Sequence, residues 1–206
     1  MRNLWKNDEF WIECWSFKMD SNTTMTLFNK DTTFSLALGG GAARGLAHIG
    51  VIRELERRGM KQGHIAWTSI GAIIGWLMAL GKTSYDAEKI LDELNFLSLV
   101  DLDMREWLLK WKKIEHFLEM IFEQKSFSDV VIPFVVTATD INTWETIAIN
   151  EWKLSESIRA SISLPGIFRP LYLFERELVD GGLAQNLPIE LLPEGPVIAV
   201  SALRSL

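Results

Sequence analysis

The 206-residue chain holds a single cysteine, Cys14, which excludes an intramolecular disulfide framework and fits a reducing compartment. It has no excess of positive charge. The net charge is −6 and the pI about 5.2, so bulk electrostatics offer a nucleic acid nothing to hold. No apolar run is long enough to span a bilayer: the longest uncharged one, Ile70 to Leu80, falls short of the roughly 20 residues a spanning helix needs. A leader is not expected either, because charges run through Met1 to Lys18 and break any apolar core there. Internal repeats and low-complexity segments are missing. Histidine is scarce, with only His48, His64 and His116. These absences make a cytoplasmic protein the expectation, with at most peripheral contact at the inner membrane surface.

What is present fits one globular domain with a full core: 48% hydrophobic and 23% charged residues over a length too short for two comfortable domains. Residues 1–32 show no clean period and contain the polar run Asp20 to Thr24, so they are expected to be a weakly ordered extension, with Met19 and Met25 as alternative starts. The domain is read as 33–206. The chain stops soon after a core strand, which leaves open a missing C-terminal portion.

Apolar strands alternate with helical patterns along the domain. Phe34 to Leu38 reads as a strand. It is followed by glycine-rich residues 39–45 and a helix to Arg58, with Gly59 as its stop. His64 to Trp67 is a second strand, followed by a helix ending near Gly81. Ser84 is expected to cap another helix carrying Ala87, Ile90, Leu91, Leu94 and Leu97, and Ile114 to Phe122 to be helical. Pro133 to Thr139 and Thr146 to Ile149 read as strands joined by a turn. Ser155 opens a short helix ending at Pro165. Leu171 to Phe174, Glu177 to Val179 and Val197 to Ala202 are the last strands. This alternation predicts an α/β sandwich with a mainly parallel central sheet.

Three stretches carry chemistry. In Ile65 to Leu80 a short strand turns sharply at Thr68-Ser69-Ile70-Gly71 into a helix, the layout of a nucleophile elbow, which presents a serine hydroxyl on a tight turn. Alone, Ser-x-Gly before a helix is most often a cap. The glycine-rich stretch after the first strand can form a nest of N–H groups for a phosphate or an oxyanion. Both nucleotide motifs fail there: Arg44 stands where a dinucleotide loop needs glycine, and Leu46 where a P-loop needs lysine. Residues 76–83 would read as a P-loop if Trp76 were glycine, but they end a helical pattern instead of following a strand. The third stretch, Val179-Asp180-Gly181-Gly182, brings a carboxylate onto a glycine turn. It reads either as a simple turn or as the base that activates Ser69.

Together these stretches resemble the patatin-like phospholipases. The resemblance rests on Gly40-Gly41-Ala42-Ala43-Arg44-Gly45, Trp67-Thr68-Ser69-Ile70-Gly71 and Asp180-Gly181-Gly182. Leu46 to Val51, Arg159 to Ser161 and Pro165 to Phe168 add to it, so that it covers about residues 34–202. It implies a three-layer α/β/α sandwich and a Ser-Asp dyad without histidine. Ser69 would attack a lipid or phospholipid ester and Asp180 would take its proton. The amides of Gly40, Gly41 and Ala42 would form the oxyanion hole, and Arg44 would hold the loop or meet phosphate. Gly71, Gly181 and Gly182 would support the turns, and water would release the acyl-enzyme. No cofactor and no metal are implied. His48, His64 and His116 offer no triad partner, and Asp140 lacks the glycines that follow Asp180.

Two positions depart from the pattern. Ala42 replaces a loop glycine, where little harm is expected because its N–H is kept. Trp67 replaces the first elbow glycine, where an indole should overpack. Nine tryptophans against two tyrosines is itself unusual. Trp144 and Trp152 occupy turn positions suited to glycine, while Trp107 and Trp111 fall in a polar region. These tryptophans are either genuine surface or lipid-facing aromatics or glycines of the native protein, because the triplet UGA means tryptophan in one variant genetic code and glycine in another. The rival functional readings are a lipid-binding relative whose elbow Trp67 blocks, and a P-loop nucleotide binder through residues 76–83.

Overall fold

The computed structural model describes residues 3–7, 10–16, 33–93, 116, 118–120 and 125–203. Among the described residues nine strands form one sheet: β1 (Asn3–Asn7), β2 (Phe10–Ser16), β3 (Thr33–Leu38), β4 (Lys61–Thr68), β5 (Phe134–Asp140), β6 (Thr146–Ile149), β7 (Leu171–Leu173), β8 (Arg176–Asp180) and β9 (Pro196–Ser201). Their order is β1-β2-β9-β3-β4-β5-β8-β7, with β6 also paired to β5. The centre, β9-β3-β4-β5, is parallel, and antiparallel strands flank it on both sides. The segment 1–32, expected to be a weakly ordered extension, contributes β1 and β2 in its described residues, and β2 extends the sheet along β9.

The central strands are near-continuous apolar runs because both faces of a parallel sheet are covered. Phe34, Leu36, Leu38, Ile65, Trp67, Phe134, Val136, Ile198 and Val200 point to one face and share a core with the helices α1 (Ala47–Arg57), α2 (Ile70–Ala79), α3 (Ser84–Glu93) and α4 (Leu154–Ser161). Alternate residues Ala37, Val197 and Ala199 face the other way, where Leu187, Ile189 and Leu192 pack on them. The result is an α/β sandwich with a parallel core.

Helix α2 is buried on every side, as an all-apolar helix must be, and runs unbroken through Trp76, Leu77, Met78 and Ala79. That removes the P-loop reading of 76–83, since no strand-to-loop junction exists there. Helix α1 turns Ile49, Ile52 and Leu55 inward and stops at Gly59 (φ +67°).

Two caps differ from expectation. Thr83, not Ser84, caps α3: its N–H and hydroxyl both reach Asp86 Oδ2, at 2.9 and 2.7 Å, and Asp86 N–H returns to the Thr83 hydroxyl. Ser84 instead donates its hydroxyl to Glu56 on α1. Helix α4 begins after Lys153, so Ser155 lies within its first turn and caps nothing. Leu94, Leu97, Trp107, Trp111 and most of the helix expected at 114–122 lie outside the described residues.

Trp144, in the β5–β6 turn, has φ +61°, and Trp152, after β6, has φ +95°. Both are left-handed conformations that glycine adopts freely and side chains resist. Their indoles are exposed, and Trp152 is steadied by its Nε1 donating to Glu156 at 2.6 Å. Among the described residues no helix is long and apolar enough to cross a membrane.

Candidate active site

The parallel centre sets the site. Strands β3 and β4 are neighbours, so the glycine-rich loop after Leu38 and the turn after Thr68 emerge side by side at the carboxyl end of the sheet. Ser69 sits at that second turn with φ +56° and ψ −127°, a strained backbone for a residue with a side chain. Gly71 is required by this crossing: a methyl group there would come within 2.9 Å of the Leu38 carbonyl oxygen.

Strand β8 runs antiparallel to β5 and carries Asp180 to the same end, opposite Ala138. The Ser69 hydroxyl donates to Asp180 Oδ2 at 2.5 Å, and the Gly182 N–H donates to Asp180 Oδ1 at 2.7 Å. The Asp180 backbone is held from two further sides, its carbonyl accepting the Thr139 hydroxyl at 2.9 Å and its N–H reaching the Ser163 carbonyl at 2.9 Å. Gly181 packs so closely on the Thr137 backbone that a side chain would overlap it. Asp180 is 3% exposed, and burial raises its pKa to about 6, against the opposing pull of the Ser69 and Gly182 hydrogen bonds. A carboxylate with that pKa is poised to accept a proton near neutral pH.

The glycine-rich loop opens into a 3-10 turn, Ala42–Leu46. Of the three amides expected to line it, Gly40 N–H is turned toward the Asn186 carbonyl at 3.3 Å. The amides of Gly41 and Ala42 have no acceptor among the described residues, and Gly40 itself lies against the Ser69 side chain. Ala42 takes φ +48°, so alanine at this position does carry strain, of about 1–2 kcal/mol relative to glycine. Arg44 is exposed, and its guanidinium makes no ion pair among the described residues.

Several site residues escaped the sequence reading. His48 is fully buried, its Nε2 2.8 Å from the Gly39 carbonyl; burial lowers its pKa to about 4, and the Gly39 bond opposes the shift. At neutral pH it therefore donates from a neutral ring and steadies the loop. Asn186 holds the loop from the opposite side, its Nδ2 3.4 Å from the Gly40 carbonyl. Ser161 accepts the Ser69 N–H. The available signals were placement: His48 follows the loop, Asn186 follows the Asp180 turn, and Ser161 lies in one of the stretches noted above. His64 and His116 are exposed, and Asp140 caps Asn142 and pairs with Arg176 at 3.0 Å, away from Ser69.

Trp67 is buried in the core, its indole laid over Gly75 of α2, where any side chain at 75 would overlap it. Its Nε1 finds no partner, and the His48 ring stands edge-on at 6.5 Å. The absence of a Cβ at 75 is what admits the indole, and the hydrogen bond between Ser69 and Asp180 forms with Trp67 in place. No cluster of His, Cys, Asp or Glu able to hold a metal occurs among the described residues.

Comparison with known proteins shows the family and the fold. A family model described as patatin-like phospholipase matches residues 36–193. An uncharacterised NTE family protein of Mycobacterium tuberculosis is 34% identical over 171 residues, covering 82% of this chain and 46% of its own length. Lysophospholipase NTE1 of Mycosarcoma maydis is 32% identical over 78% of this chain but only 9% of itself. The chain thus spans less than half the length of these curated relatives. Among solved structures, VipD from Legionella pneumophila shares the fold, with a TM-score of 0.60 at 16% identity over 82% of this chain and 49% of VipD.

Proposed function

The chain belongs to the patatin-like phospholipase family, and from that premise we propose that it is a serine lipid acyl hydrolase working through Ser69 and Asp180. The observation that carries the reading is the 2.5 Å hydrogen bond from the Ser69 hydroxyl to a buried carboxylate of raised pKa. Ser69 Oγ attacks the ester carbonyl as Asp180 takes its proton. The tetrahedral oxyanion is met by the Gly41 and Ala42 amides, with Gly40 holding the loop through Asn186. Collapse expels the alcohol, which recovers the proton from Asp180. Water, deprotonated by the same carboxylate, then attacks the acyl-enzyme; the fatty acid leaves and Ser69 regains its proton.

The substrate class is a fatty-acyl ester of a lipid, and the lysophospholipase name of the fungal relative favours a lysophospholipid. Arg44, exposed beside the loop, suits the phosphate of such a head group better than a role in holding the loop. The site would act at a membrane surface or on dispersed lipid.

The test is release of fatty acid from 1-acyl lysophosphatidylcholine by the purified protein. The Ser69→Ala variant should lose activity by on the order of 10³-fold or more. Unchanged hydrolysis by that variant would overturn the assignment. Lipid binding without hydrolysis by the wild type would favour the non-catalytic reading.

A further inference from the structure

We propose that Ser161, at the end of α4, is a positioning residue that holds the nucleophile in its strained turn by accepting the Ser69 N–H on its hydroxyl oxygen. The inference rests on the reading of Ser69 as the nucleophile and adds a residue to which that reading gives no role.

Ser69 precedes the first residue of α2, and its left-handed backbone must be over-determined by its surroundings to persist. In a capping box the side chain of the third helical residue satisfies the capping N–H. Here that residue is Ala72, which has no acceptor to offer. The acceptor comes instead from 92 residues away: Ser161 Oγ lies 2.9 Å from Ser69 N. Ser161 is fully buried, so no water can replace it without a cavity.

The same short segment grips the other half of the dyad. The Ser163 carbonyl accepts the Asp180 N–H at 2.9 Å. Ser163 is itself fixed, its hydroxyl donating to the Arg159 carbonyl at 2.6 Å and its N–H reaching the Ala160 carbonyl at 3.1 Å. Residues 161–163 therefore span the backbones of Ser69 and Asp180 and set the register between them. One grip uses a side chain and the other a main-chain carbonyl, so substitution removes only the first.

The experiment compares wild type, Ser161→Ala, Ser161→Cys and Ser157→Ala by the rate of fluorophosphonate labelling at Ser69, by kcat and KM per titrated active site, and by Tm. Misplacement of a nucleophile costs up to about 10²-fold. Ser161→Ala is expected to slow labelling and lower kcat by roughly 10–100-fold with KM little changed. Ser161→Cys keeps the size and a weaker acceptor, so it should fall between Ser161→Ala and wild type even if the alanine variant does not fold. Ser157→Ala, which removes a buried hydroxyl of the same helix that donates to the Lys153 carbonyl, should stay within a few-fold of wild type. Wild-type labelling rates in both Ser161 variants, or a loss confined to Tm and active fraction, would overturn the positioning role. A wild type that never labels would instead remove the nucleophile reading beneath it.

Discussion

Asp180 offers one oxygen to Ser69 and keeps the other for its own turn: Oδ2 stands 2.5 Å from Ser69 Oγ while Oδ1 takes the Gly182 amide. The carboxylate is thereby aimed at the serine hydroxyl, and under the proposed mechanism its burial sets the pH at which it takes the proton.

With the Asp180 pKa raised to about 6, the ionised form needed to accept the Ser69 proton is lost as pH falls through that value. The kcat/KM profile should rise about tenfold per pH unit below 6 and level off above it. A profile flat from pH 5 to 8 would contradict Asp180 as the base.

The same burial makes the Asp180 carboxylate a burden on the fold. The folded state holds the Asp180 proton more tightly than the unfolded state, whose carboxyl has a pKa of 3.8, so stability rises as pH falls from about 6 toward that value. Above pH 6 the buried charge costs on the order of 3 kcal/mol. Asp180→Asn should therefore abolish turnover while raising the midpoint of chemical denaturation at pH 7. A variant less stable than wild type would show that the Ser69 and Gly182 hydrogen bonds outweigh desolvation.

His48 works in the opposite direction. Its folded pKa is lowered from 6.5 to about 4, so its contribution to stability is complete above 6.5 and is lost as pH falls toward 4, by on the order of 3 kcal/mol. Between pH 6 and 4 the two buried groups nearly offset one another. Denaturation curves should separate them: Asp180→Asn should become acid-labile in this window, whereas His48→Gln should gain stability on acidification. Parallel pH curves for both variants would refute the assignment.

Trp144, at φ +61°, should be improved by glycine. Trp144→Gly is expected to stabilise the fold by about 1 kcal/mol, because the left-handed backbone penalty disappears and the lost indole was solvent-exposed. Trp152 at φ +95° and Trp67, with its unpartnered buried Nε1, belong to the same group. Peptide mass spectrometry on the native protein is expected to find glycine at 67, 144 and 152. Tryptophan at any of them would remove the proposal at that position.

Much of the geometry of this candidate site could be read from sequence because its turns are local. The loop after Leu38, the turn at Ser69 and the turn at Asp180 are each a few residues long, and each announces its backbone through small residues. The turns at Trp144 and Trp152 were legible in the same way, as places where a positive φ is needed. The braces around the site were not. The bond from Ser69 to Ser161 joins residues 92 apart and the bond from Asn186 to Gly40 joins residues 146 apart, and placement near a motif does not tell which distant group either side chain reaches. Gly40 shows a subtler gap, since its position in the loop is evident while the direction of its N–H depends on where Asn186 lies. Thr83 and Ser84 are equally good caps by type, and only the reach of Asp86 back to Thr83 decides between them. The pairing of β2 with β9 is a backbone matter that no side-chain period records.

Reaction with a fluorophosphonate probe, followed by peptide mapping, tests the nucleophile directly. The expected result is one stoichiometric adduct on the tryptic peptide Gln62–Lys82 at Ser69, blocked by prior incubation with lysophospholipid and slowed strongly in Asp180→Asn. An unmodified Ser69 in protein that still releases fatty acid from a lipid ester would contradict the dyad outright.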